Sequence, residues 1–189
     1  MTAARLAIAL TALTALIAPP LALESQGASK ASQSKPTAAP TKSEVVAAAR
    51  DVMAHARYAT LATVAQSGQP QARVVDPMLP DNAMTVYIGT NALTRKVGEI
   101  RASNRVTLLY FDSKGLEYVT LLGTADVVTD QAEKAKHFKL EWSPFYKKGA
   151  AGDDFALIRV RATRIEIVSP SHKLVNDSTN WRPVGVNLP

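Results

Sequence analysis

The chain contains no cysteine. Disulfides, thiolate metal sites, cysteine nucleophiles and a lipid anchor on cysteine are therefore excluded. Histidine is scarce as well. His55, His137 and His172 are the only three, and their scatter along the chain argues against a multi-histidine metal centre. Basic charge is present but not concentrated. The formal net charge is +6, and Arg5, Lys30, Lys35 and Lys42 against Glu24 supply half of it before residue 44. From residue 44 on, 18 basic and 15 acidic residues leave only +3. A nucleic-acid partner calls for a concentrated basic face, so none is expected. There is no internal repeat and no twin arginine.

The longest apolar run, residues 6–23, is broken by Pro19-Pro20 and preceded by the single basic residue Arg5. It is short for a membrane span and reads as a secretory signal, with Ala22 or Ala28 as cleavage points. The expected location is therefore periplasmic or secreted. Contact with a membrane is expected only if this segment stays uncleaved as an anchor. Residues 24–42 are rich in Ser, Ala, Lys, Thr and Pro, with almost no large apolar side chain. Such a segment cannot bury enough surface to fold and reads as a disordered linker.

Roughly 145 residues remain, enough for one domain with a core of its own. Ser43 is the expected N-cap of a helix running to about Arg57, with Glu44 in its first turn. Strands are expected over 58–64, 71–75, 84–88, 106–111, 118–128 and 155–168. Gly123 marks a bulge in the fifth of them. Further helices are expected over 93–102 and from Asp130, paired with Glu133 as a capping box, to about Leu140. The tail from Pro170 reads as irregular. Six strands joined mostly by short turns, with helices inserted rather than alternating, predict a mainly β (α+β) fold: a six-stranded antiparallel split barrel over 43–169.

One stretch carries chemistry. The third strand ends in Gly89-Thr90-Asn91, and Thr94, Arg95 and Lys96 follow at once. Two hydroxyls, a planar guanidinium and an ammonium are what a phosphate monoester needs, and Arg73 lies one strand upstream. A helix opening near Asn91 would add free amides and the positive end of its dipole. The stretch reads as a phosphate clamp for a nucleotide-like cofactor. No residue stands out as a general acid or base.

The order of these parts resembles the FMN-binding split barrel of the pyridoxamine 5'-phosphate oxidase-like superfamily. Arg73-Val74-Val75 and Gly89-Thr90-Asn91-Ala92-Leu93-Thr94-Arg95-Lys96 carry the resemblance. Val106 to Tyr110 and Tyr118 to Gly123 follow at the expected distance, and Trp142-Ser143-Pro144-Phe145-Tyr146 is similar to general-stress-type members. The resemblance implies FMN as cofactor and a homodimer with flavin between subunits. Arg73, Thr94, Arg95 and Lys96 would hold the phosphate, with Gly89 and Thr90 beside it. Val74 and Val75 would offer backbone groups to the isoalloxazine edge, and Tyr118 and Trp142 are candidate ring neighbours. A small-molecule substrate or electron donor would complete an oxidoreductase. Two departures count against pyridoxamine phosphate itself. Tyr118 stands where the oxidases carry an amide, and their C-terminal Arg-x-His is replaced by Asn180-Trp181-Arg182-Pro183. A non-catalytic flavin-binding stress module, or a haem- or deazaflavin-binding barrel, remains as an alternative.

Overall fold

A computed structural model describes residues 39–189. The expected leader, and the linker as far as residue 38, lie outside the described residues. The first helix, α1 (Lys42–Ala56), begins before Ser43. Its N-cap is Thr41, whose hydroxyl accepts from the Glu44 amide while Glu44 Oε2 accepts from the Thr41 amide at 2.7 Å. This reciprocal box satisfies two otherwise orphaned N–H groups, which is why it outcompetes a cap at Ser43. Val45, Ala48, Ala49, Val52 and Met53 then form one buried stripe.

The strands are β1 (Ala59–Val64), β2 (Pro70–Val75), β3 (Thr85–Asn91), β4 (Arg105–Asp112), β5 (Glu117–Val128), β6 (Phe155–Val168) and β7 (Val184–Asn187), with α2 (Arg95–Ala102) and α3 (Gln131–Lys136) between them. All pairings are antiparallel, in the order β2-β1-β4-β5-β6-β3. The sheet is not closed by a ladder. A single bridge joins Pro77, just past β2, to Ile88 of β3. The expected count of six strands becomes seven, because Val184–Asn187 of the supposedly irregular tail pairs with β6. Four residues with one glycine give too little periodicity to read as a strand.

The main core lies between α1 and the sheet, where Leu61, Leu108, Leu121, Ile165 and Ile167 are fully buried. A second cluster gathers Tyr87, Val128, Trp142, Phe155 and Leu157. β6 serves both clusters, giving Phe155 and Leu157 to the second and its inward residues from Ile158 on to the main core, within which it shifts phase. Its pairing with β5 slips between Leu122 and Gly123, so the inward series Ile158, Val160, Ala162 resumes at Ile165 and Ile167. The slip needs glycine, since a Cβ at Gly123 would lie 2.0 Å from the Arg161 carbonyl oxygen. Gly123→Ala is expected to cost about 1–3 kcal/mol, read from urea unfolding, because backbone cannot yield as a side chain can. An unchanged midpoint would contradict this.

α3 ends at Lys136 rather than near Leu140. The Asp130 carboxylate caps it through the Glu133 amide at 2.6 Å. The Glu133 side chain does not complete the box. It accepts instead from Tyr87 Oη at 2.9 Å and Arg159 Nη1 at 2.8 Å, pinning the helix to the sheet.

Candidate functional site

The turn after β3 is held by its own polar groups. The Leu93 amide donates to Asn91 Oδ1 at 2.9 Å, and the Ala92 amide to the Asp154 carbonyl at 2.8 Å. These bonds occupy residues 91–93, so α2 starts at Arg95, two residues later than the sequence suggests. Thr94 is its N-cap, but the Thr94 hydroxyl donates to the Asn91 carbonyl at 2.8 Å and accepts no bond from a helix amide.

Thr90 is buried near the end of β3. Lys96 Nζ donates to its hydroxyl at 2.8 Å, and Thr94 Oγ1 stands 3.4 Å from the same oxygen. Arg73 approaches from β2. Its Nη2 donates to Glu99 Oε2 at 2.7 Å, and its Nη1 faces the Thr63 hydroxyl and the carbonyls of Gln71 and Leu61. Thr63 in turn donates to Glu99 Oε2 at 2.6 Å. Burial alone would raise the Glu99 carboxyl, but the bonds from Thr63 and Arg73 outweigh it and hold the group below its usual range. Burial, and then the Arg73 charge, pull the Lys96 ammonium below its ordinary value, with Glu99 opposing. The structure thus gathers Arg73, Thr90, Thr94 and Lys96, and adds Thr63 and Glu99.

The other expected residues lie outside this hydrogen-bonded cluster. Arg95 is exposed at the rim of this cluster. Val74 is 71% exposed while Val75 is buried, as successive residues of a strand must alternate. Tyr118 sits half-buried on β5, opposite Phe111 of β4 and Val168 of β6. Trp142 is buried in the aromatic cluster, its ring packed on Gly89 and its Nε1 donating to Asp76 Oδ2 at 3.3 Å. A shallow groove of about 550 Å³ reaches Thr63 and is lined also by Ala62, Arg105, Thr107, Leu122 and Thr163.

His137 lies apart from the other two histidines. The His137 ring stacks on Tyr87 with centroids 3.6 Å apart, and burial lowers its pKa. His55 and His172 flank the Asp51 carboxylate, and His172 Nδ1 lies 2.7 Å from the Ser169 hydroxyl. Among the described residues no three potential ligands form a metal site.

These features define an antiparallel sheet protein with a helix packed on its inner face and a cluster of hydroxyl, cationic and carboxylate groups where its second helix begins. The chain belongs to the pyridoxamine 5'-phosphate oxidase family, whose model matches residues 45–169. Among solved structures, a Clostridium acetobutylicum protein related to general stress protein 26 of Bacillus subtilis aligns with TM-score 0.64 at 15% identity, covering 78% of this chain and 96% of that one. General stress protein 26 of Bacillus anthracis gives 0.53 at 17%, covering 63% and 92%. A heme binding protein of Mycobacterium smegmatis gives 0.54 at 21%, covering 70% and 55%. At these identities the likeness is one of fold. No curated protein sequence shows significant similarity.

Proposed function

We propose that this protein is a flavin-binding oxidoreductase that takes FMN, acts as a homodimer on a small-molecule substrate or electron donor, and is exported by its leader. The observation that carries this reading is the Lys96–Thr90 bond at 2.8 Å with the Arg73 guanidinium alongside. A phosphate fits these residues. Lys96 has donors beyond the one given to Thr90, and Arg73 retains its Nε–H and a second Nη2 hydrogen. Arg73, Thr90, Thr94 and Lys96 would hold the phosphate, with Arg95 at the rim. β2 is an edge strand paired only with β1, so it has backbone groups free to meet the isoalloxazine edge near Val74 and Val75. The groove beside Thr63 has the size of a small-ligand site. Bound FMN would supply the hydride or electron acceptance, and the chain supplies binding and orientation.

What supports the homodimer is the outward face of the sheet. Val74, Leu109 and Phe111 are 71%, 39% and 54% exposed there, beside half-buried Tyr118 and Leu122. A second copy of the chain would cover them.

The test is an absorption spectrum of the purified chain, titrated with FMN and separately with haem. Flavin bands that shift on binding support the reading. A chain that ignores FMN overturns it, and a Soret band on haem addition would make haem the ligand instead. Lys96→Ala is expected to weaken FMN binding about 10- to 100-fold, since a charge-assisted hydrogen bond contributes about 1.5–3 kcal/mol. Riboflavin, which lacks the phosphate, should bind the variant and the parent alike. Equal loss for both ligands would show that Lys96 supports the fold rather than the phosphate.

A further inference from the structure

A carboxylate is out of place among groups that attract an anion, and Glu99 is built into them. It is 8% exposed, it lies one helical turn beyond Lys96, and its Oε2 takes the bonds from Arg73 Nη2 and Thr63 Oγ1 at 2.7 and 2.6 Å. Arg73 is committed along its Nη1–Nη2 edge. Nη1 faces Thr63 and two backbone carbonyls, and Nη2 serves Glu99. A phosphate seeking two parallel bonds from the guanidinium therefore finds only the Nε–Nη2 edge, with Nη2 shared. Glu99 also cancels one of the two partly buried positive charges, leaving Lys96 as the uncompensated one. Arg95, at the exposed rim, is screened by solvent.

We infer that Glu99 is an internal counter-anion that competes with the cofactor's phosphate for Arg73, so that the flavin exchanges with solution instead of remaining resident. This rests on the flavin reading above and adds to it a residue that sets how tightly the phosphate is held. When no phosphate is present, Glu99 keeps a partly buried guanidinium paired, which avoids an isolated charge. When phosphate arrives, the same carboxylate repels it at close range in a medium less polarisable than water.

The phosphate's own contribution is the ratio of the riboflavin to the FMN dissociation constant, measured by quenching of flavin fluorescence. Glu99→Gln keeps the side chain's shape and its capacity to accept from Thr63 and Arg73 while removing the charge. The ratio is expected to rise about 10- to 100-fold in this variant, with riboflavin affinity unchanged. FMN-loaded parent protein should lose its flavin on desalting, and the variant should keep it. Circular dichroism checks folding, and Glu99→Ala replaces the amide variant if that one misfolds. An unchanged ratio would make Glu99 a strut between α2 and the sheet. A lowered ratio would make it the residue that aims Arg73 at the phosphate. Either overturns the inference while the flavin reading stands. If neither protein binds FMN, the flavin reading itself falls and the inference with it.

Discussion

Arg73→Ala is expected to destabilise the fold by about 3–5 kcal/mol, the usual cost of removing one partner of a buried ion pair. The loss does not come from the arginine's own contacts. It comes from Glu99, whose side chain is 9% exposed and would keep only the Thr63 hydroxyl. In the parent the Glu99 carboxyl is held below its usual range, so its contribution is fully present above the ordinary carboxylate pKa and fades as pH falls through the lowered one. In the variant, burial is no longer outweighed by Arg73, and the carboxyl moves up. The variant's penalty relative to the parent therefore shrinks as pH falls from neutrality through the carboxylate range, and grows again as pH rises. A second substitution, Arg73→Ala with Glu99→Gln, removes the stranded charge and should recover much of the loss. Urea unfolding of the parent, the single variants and the double variant measures this coupling. A pH-independent loss, or a double variant no better than Arg73→Ala alone, would mean that Arg73 acts through packing.

Leu109→Glu combined with Phe111→Glu is expected to convert the proposed dimer into a monomer, raising its dissociation constant by at least about 100-fold. Both side chains stand on the outward sheet face, with Phe111 54% exposed and Leu109 39%. Charges there cost the isolated chain little, whereas each uncompensated charge sealed between two copies costs about 3–5 kcal/mol. Sedimentation equilibrium of the parent and the variant is the measurement. A parent that sediments as a monomer, or a variant that remains dimeric, would remove this face from the assembly. If flavin lies between subunits, as the family resemblance implies, the variant should also lose FMN affinity while its unfolding midpoint stays near the parent's.

The elements that were legible in the sequence are those with long periodic signals. Val45 to Met53 repeats at helical spacing and is the buried stripe of α1. Gly123 was readable as a break because an isolated glycine in a long β-branched strand has little other use. Boundaries depended on local competition that spacing does not reveal. Thr41 takes the cap from Ser43 because Glu44 can answer it, and α2 opens late because Asn91 spends its side chain on a turn. In the site, the hydroxyls and cations were visible as a run, but Glu99 and Thr63 were not. Glu99 three residues after Lys96 looks like an ordinary surface pair on a helix. Only the approach of β1 and β2 to α2 turns it into the buried partner of Arg73. The one clue was its position between Val97 and Ile100, both buried against the sheet. β7 has no signal of its own in the sequence because its pairing with β6 decides its conformation.

The ring of Trp142 rests where a side chain at position 89 would have to be, with a Cβ there only 2.5 Å from the indole. The two positions are therefore sterically coupled. Gly89 can change in a descendant of this chain only after Trp142 has been traded for something smaller, and a lineage that shrinks residue 142 opens space that a larger residue 89 can fill. Because Gly89 adjoins Thr90 on β3, such an exchange moves the strand that presents the Lys96 partner. A change in the aromatic cluster could thereby shift the proposed phosphate site without altering any of the residues proposed to hold the phosphate.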